Sequence, residues 1–299
     1  MSMSKFFTAL FLTIVLIMPA NTAYAIQNSN QTKNQQYSTW LWDTSQIVKS
    51  PDEILNFLST NNVKILYLQI DYNLNPDAYR SFIKKASMKN ISVHALDGSS
   101  DWVSDSGTNK QKIFFDWLTK FQNTSSANEK FNGVHLDVEP YLNPDYNINM
   151  NKTLESYQAF LLNSLSNSNY LGLSLSIDIP FWFDGVNYNT KYGTGSLADW
   201  IMKNTKNAVI MVYRDNAAGD NGIINLASKE LALGKLYNAD VSIAVETQKS
   251  DEGNYVSFYE EGVNCMNREL DKVYTSYKNN SSFGGFAIHN VMSWMKLKK

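Results

Sequence analysis

The stretch "NGVHLDVEPY", residues 132–141, places three ionisable side chains at alternate positions: His135, Asp137 and Glu139. Val134, Leu136 and Val138 stand between them. A β-strand sends successive side chains to opposite faces, so this segment carries an apolar stripe on one side and a titratable stripe on the other. Two carboxyls on one face can raise each other's pKa or share a proton. That keeps one of them protonated near neutral pH, as general acid cleavage of a glycosidic bond requires. Glu139 is the expected acid/base, and Asp137 the carboxyl that tunes it. The plainer use of Glu139 is a rim carboxylate in a salt bridge.

Other residues could complete such a site. Glu246 ends the run "DVSIAVET" and is the candidate nucleophile if two carboxylates act together. Retaining glycosidases need the pair roughly 5–5.5 Å apart and inverting ones roughly 6.5–9.5 Å. Stabilisation of a neighbouring loop is the alternative for Glu246. Asp71, Asp178 and Tyr213 are candidates for holding substrate, Tyr213 otherwise being a satisfied core residue. Trp42, Trp102, Trp182 and Trp294 lie near strand ends or in the loops that follow. Flat indoles stack on sugar faces, though half of them could simply pack the core. No cofactor or metal is expected. The histidines are His94, His135 and His289, without H-E-x-x-H or H-x-H spacing, and only His135 with Asp137 suggests a metal-dependent hydrolase. A G-x-S-x-G elbow is absent.

These residues need elements to position them. Eight short apolar runs fall at 39–43, 63–71, 91–97, 132–140, 171–180, 208–215, 240–247 and 284–294, each bounded by turn residues. Apolar spacing of three and four predicts helices over 50–60, 76–88, 109–122, 152–166, 195–206, 222–235 and 256–278. The first of these should open with Ser50 as N-cap, Pro51 at the first position and Glu53 in a capping box. Strand and helix alternating eight times predict a parallel sheet closed into a single-domain (β/α)₈ TIM barrel. An open doubly wound sheet is the competing architecture, but G-x-G-x-x-G and Walker loops are missing. In the barrel, Leu66, Leu68, Ile70, Val134, Leu136, Val138, Leu175, Ile177, Ile179, Val241, Ile243 and Val245 face the helices. His135, Asp137, Glu139, Asp71, Asp178, Met211, Tyr213, Asp215 and Glu246 then face inward. Most of the inward polar groups fall at C-terminal strand ends, where barrel enzymes work.

The string Asn132-Gly133-Val134-His135-Leu136-Asp137-Val138-Glu139 resembles the strand-4 motif DGxDxDxE of family 18 glycoside hydrolases, the chitinases and endo-N-acetylglucosaminidases. The resemblance implies that Glu139 is the acid and that Asp137 orients the substrate acetamide, which itself acts as nucleophile. Glu246 is unnecessary in that scheme. Asn132 and His135 depart from the motif at its two earlier Asp positions. Met211-Val212-Tyr213 is similar to the family's strand-6 M-x-Y, and Trp294 lies near its strand-8 Trp. Glu139-Pro140 together with Glu246 also resembles the large clan of barrel glycosidases with an acid/base on strand 4 and a nucleophile on strand 7. That clan has Asn before the acid/base, where this chain has Val138.

Composition is compatible with these readings. The 299 residues are 43% apolar and 18% charged, with a formal net charge of -2, so a globular chain is expected and nucleic acid is not an expected partner. Aromatics reach 13%, which rim platforms would use. Lys5, the run "FFTALFLTIVLIM" and the small residues Ala23 and Ala25 predict a secretory signal over 1–25. Residues 26–37 read as a polar, disordered lead-in and 38–299 as the barrel domain. Cys265 is the lone cysteine, which excludes an intrachain disulfide. The expectation is a secreted glycoside hydrolase acting on an extracellular polysaccharide or glycan, with no membrane association after cleavage of the signal. A non-catalytic carbohydrate-binding barrel is the alternative, and the oligomeric state is open.

Overall fold

The computed structural model describes residues 35–104 and 107–299. The expected signal and most of the lead-in lie outside the described residues. Eight parallel strands close into a barrel, each paired with the next and the eighth with the first. They are Tyr37–Leu41, Val63–Gln69, Ser92–Asp97, Gly133–Leu136, Ser174–Pro180, Asn207–Met211, Asp240–Glu246 and Phe283–His289. Helices Pro51–Thr60, Pro76–Ser87, Gly107–Thr124, Met150–Tyr170, Leu197–Asn204, Ser228–Tyr237 and Val263–Tyr277 fall between them. The closed order rules out the open doubly wound sheet.

Two apolar layers hold this arrangement. The outward stripes, including Leu66, Leu68, Val134, Leu136, Ile177, Ile179, Val241 and Ile243, are buried against the helices in one large core. Inside the barrel Trp40, Tyr67, Leu96, Val209, Ala244 and Ala287 form a separate cluster. A closed barrel of eight strands has room for about one layer of side chains at a time. The small Ala244 and Ala287 make room there for the indole of Trp40.

Several boundaries differ from expectation. The first strand begins at Tyr37, which is buried and in register with Phe286 and Val63, so the lead-in stops short of it. Gln35 is buried too, donating to Asp271 and accepting from the Tyr37 hydroxyl. The fourth strand ends at Leu136, four residues early; the Asp137 N–H still donates to the Asp97 carbonyl, and Pro140, without an N–H, opens a 3₁₀ turn. The eighth strand stops at His289, and Val291–Trp294 is a helical turn capped by Asn290. Ser50 makes no capping bond; its hydroxyl donates to Gln46 instead, so the expected capping box does not form. The loop after the fifth strand folds into an antiparallel hairpin, Asn187–Thr190 with Gly193–Ser196.

Candidate active site

The C-terminal end of the barrel gathers the acids. Asp137 and Glu139 follow the fourth strand, and Asp178 comes from the fifth. Glu139 is half-buried. Burial, then the charges of Asp137 and Asp178, push its pKa up to about 8. Asp137 is raised to about 7 by burial and by Asp178. Its Oδ1 is buried and unpartnered. Asp178 is raised to about 8, chiefly by burial. Three carboxyls in so little water cannot all ionise, so an acid form persists at neutral pH. Glu139 is the most accessible of the three.

His135 lies beneath them. It is fully buried, pairs through Nδ1 with the Ser176 hydroxyl, and bonds Asp178 Oδ2 through Nε2 at 2.7 Å. The Trp40 indole N–H donates to the same carboxyl oxygen at 3.1 Å. Tyr67 stacks on the imidazole with ring centres 3.7 Å apart. Burial pushes His135 down to about 3, so the ring stays neutral. It is a hydrogen-bonded floor to the site. Among the described residues no three His, Cys, Asp or Glu side chains converge as metal ligands.

Glu246 occupies the expected place at the end of the seventh strand. Its carboxylate accepts from the backbone N–H of Thr247 and Gln248 at 2.7 Å each and bonds His289 Nδ1 at 2.8 Å. The charges that raise Glu139 come from Asp137 and Asp178. Glu246 is committed to a hydrogen-bonded pair with His289, a residue to which the sequence assigns no role. The alternation in "FAIH" could have shown it, because Phe286 and Ile288 face the helices and send Ala287 and His289 inward.

Tyr213 faces the barrel interior, its ring centre 6.0 Å from that of His289. Burial and the surrounding acids hold its hydroxyl well above the ordinary range, so it is a neutral donor. Trp42 is half-buried at the mouth, and its indole N–H donates to His289 Nε2 at 2.9 Å. Trp182 is 37% exposed and stands edge-on to Tyr141, 4.8 Å between ring centres. Both are available to a flat ligand.

Three residues expected at the site differ from expectation. Trp294 is buried against Tyr37 and Phe57 in the outer core, because the helical turn after the eighth strand carries it away from the mouth. Trp102 is likewise buried, on Phe114 and Phe160. Asp71 lies past the end of its strand, exposed, and its carboxylate accepts from the Asn73 N–H in a turn. Sequence reasoning did not single out Tyr141 or the Arg214 guanidinium, sandwiched 5.2 Å from Phe181 and 5.3 Å from Tyr255. These come from loops, whose juxtaposition has no periodic signature.

The barrel is similar to a chitinase from Bacteroides thetaiotaomicron at 10% sequence identity, over 87% of this chain and 90% of that one, with a TM-score of 0.54. It is similar to a GH18 chitinase from Cycas revoluta in complex with (GlcNAc)4 at 12% identity, over 87% and 96% of the two chains, TM-score 0.54. The same Cycas enzyme in complex with allosamidin matches at 12% identity, over 87% and 96%, TM-score 0.53. This chain has the fold of the family 18 chitinases. No family model matches the sequence, and no curated protein matches it. At such identities the likeness concerns the fold, and the chemistry of this chitinase-like barrel must be argued from its own residues.

Proposed function

We propose that this chain hydrolyses glycosidic bonds, with Glu139 as the general acid/base. One observation carries the reading: a half-buried Glu139, held as an acid by burial and by Asp137, at the mouth of a chitinase-like barrel. Protonation of the leaving oxygen by Glu139 would start cleavage, and the same carboxylate would then activate water. Asp137, with its unpartnered Oδ1, would orient a polar substituent of the sugar. Trp42 and Trp182 would supply stacking surfaces and Tyr213 a hydroxyl donor.

The nucleophile is best supplied by the substrate. Glu246 already accepts three hydrogen bonds, two of them from rigid backbone amides, and is paired with His289. An acetamide on the sugar does not need a second free carboxylate. The proposed substrate is therefore an N-acetylated glycan, in keeping with the (GlcNAc)4 bound by the Cycas enzyme. Secretion through residues 1–25 would place the reaction outside the cell.

Glu139→Gln should abolish release of reducing ends from N-acetylglucosamine oligomers while leaving the thermal transition and sugar binding in place. Turnover near wild type would refute the assignment. Retained sugar binding by a wild-type protein without any turnover would instead favour a non-catalytic lectin-like barrel.

A further inference from the structure

His289 is held from both sides by bonds that fix every proton. An indole nitrogen can only donate, so the Trp42 N–H at 2.9 Å requires a lone pair on His289 Nε2. The single imidazole proton then sits on Nδ1, facing Glu246 at 2.8 Å. Glu246 in turn is anchored by the Thr247 and Gln248 amides. The chain Glu246–His289–Trp42 therefore runs from the seventh strand, through the eighth, to the end of the first. It terminates on an indole at the mouth.

A second proton on Nε2 would set two N–H groups head to head and end the bond to Trp42. The surroundings favour that proton. Glu246 from the seventh strand, Asp178 from the fifth, and Asp137 and Glu139 after the fourth are the acids facing His289. Tyr213 after the sixth, Trp40 and Trp42 of the first and Gln248 after the seventh complete its environment. Burial lowers the pKa of His289, but the hydrogen bond and charge of Glu246, with Asp178 and Asp137, raise it overall.

We propose that His289 and Glu246 are positioning residues that hold the Trp42 indole in the barrel mouth, and that protonation of His289 Nε2 releases it. The inference rests on the glycan reading only for the use of the held indole, as a platform for a sugar ring. Binding would then weaken in acid although Glu139 is still in its acid form.

The test follows the Trp42 indole N–H in the full chain by nuclear magnetic resonance with labelled tryptophan, the signal being identified by its loss in Trp42→Phe. Between about pH 8 and pH 4 it should shift with one midpoint, and its protection from exchange, relative to a free indole at the same pH, should be about tenfold lower on the acid side. His289→Gln keeps an acceptor but cannot titrate, and should erase the midpoint. Glu246→Gln should move it to lower pH, which a merely structural contact would not do. An indole signal indifferent to pH, or an unchanged midpoint in His289→Gln, overturns the proposal. In a Glu139→Gln background, affinity for (GlcNAc)4 should fall about threefold to tenfold below the midpoint, and stay level when His289→Gln is added. Equal affinity on both sides overturns the platform role. Absence of binding at every pH sinks the glycan reading, whereas the hold on Trp42 is decided by the indole signal alone.

Discussion

Glu139, Asp137 and Asp178 share one poorly solvated wall, and each is raised first by burial. In the proposed mechanism Glu139 acts in its protonated form, so the activity should persist into mildly alkaline solution and fall as pH rises through about 8. Asp178 contributes a negative charge to that shift, so removing it favours ionised Glu139. Asp178→Asn, which keeps a side chain able to bond His135 and Trp40, should therefore move the alkaline limb of kcat/KM to lower pH. A pH profile whose alkaline limb does not move would show that Asp178 is electrically remote from Glu139. At this scale much was legible. Asp137 and Glu139 were readable from spacing alone, and Asp178 from the alternation in "LSLSIDIP". What His135 does was not, because its partners Ser176, Asp178, Trp40 and Tyr67 lie on three other strands.

The strand ends decide where the acids stand. Gly98 follows the third strand with φ +151°, and a Cβ there would lie 2.1 Å from the Asp137 carbonyl oxygen. The backbone after the third strand thus presses directly on Asp137, two residues before Glu139. Gly98→Ala should cost about 2–4 kcal/mol in denaturant titration and remove activity, through strain and clash together. Gly172→Ala is the control: its φ is +66°, but a Cβ there meets nothing within 4 Å. It should cost only about 1 kcal/mol. Equal losses in the two variants would mean that the contact with Asp137 carries no weight. Helix and strand positions followed from periodicity, whereas the 3₁₀ turn after the fourth strand opens at Pro140. The fate of Trp294 depends on a turn that caps itself with Asn290.

Among the described residues the fold tolerates a buried acid with no visible task. Glu230 is fully buried on the helix Ser228–Tyr237, and neither carboxyl oxygen has a partner. Burial, opposed by its own backbone N–H and by Lys229 and aided by Asp184, raises its pKa from 4.5 to about 8. Between those values the folded chain keeps a proton that the unfolded chain has lost. Stability therefore falls as pH rises through this window, by at most about 1.4 kcal/mol per pH unit for one group, and levels off above the folded pKa. The raised acids of the mouth act in the same direction. Glu230→Gln should flatten the decline in melting temperature between about pH 5 and pH 8; an unaltered slope would assign the whole effect to the mouth. The sequence by itself determined the barrel and the alternation that keeps Asp137 and Glu139 off the helix-facing stripe of Val134, Leu136 and Val138, because a period of two and a period near 3.6 are local properties of the chain. Only the tertiary structure decided that Glu246 belongs to His289, that Trp42 is the indole held at the mouth while Trp102 and Trp294 fill the core, and that His135 is the floor beneath Asp178. Those outcomes depend on distances between strands far apart in the chain, and only closure of the barrel sets them.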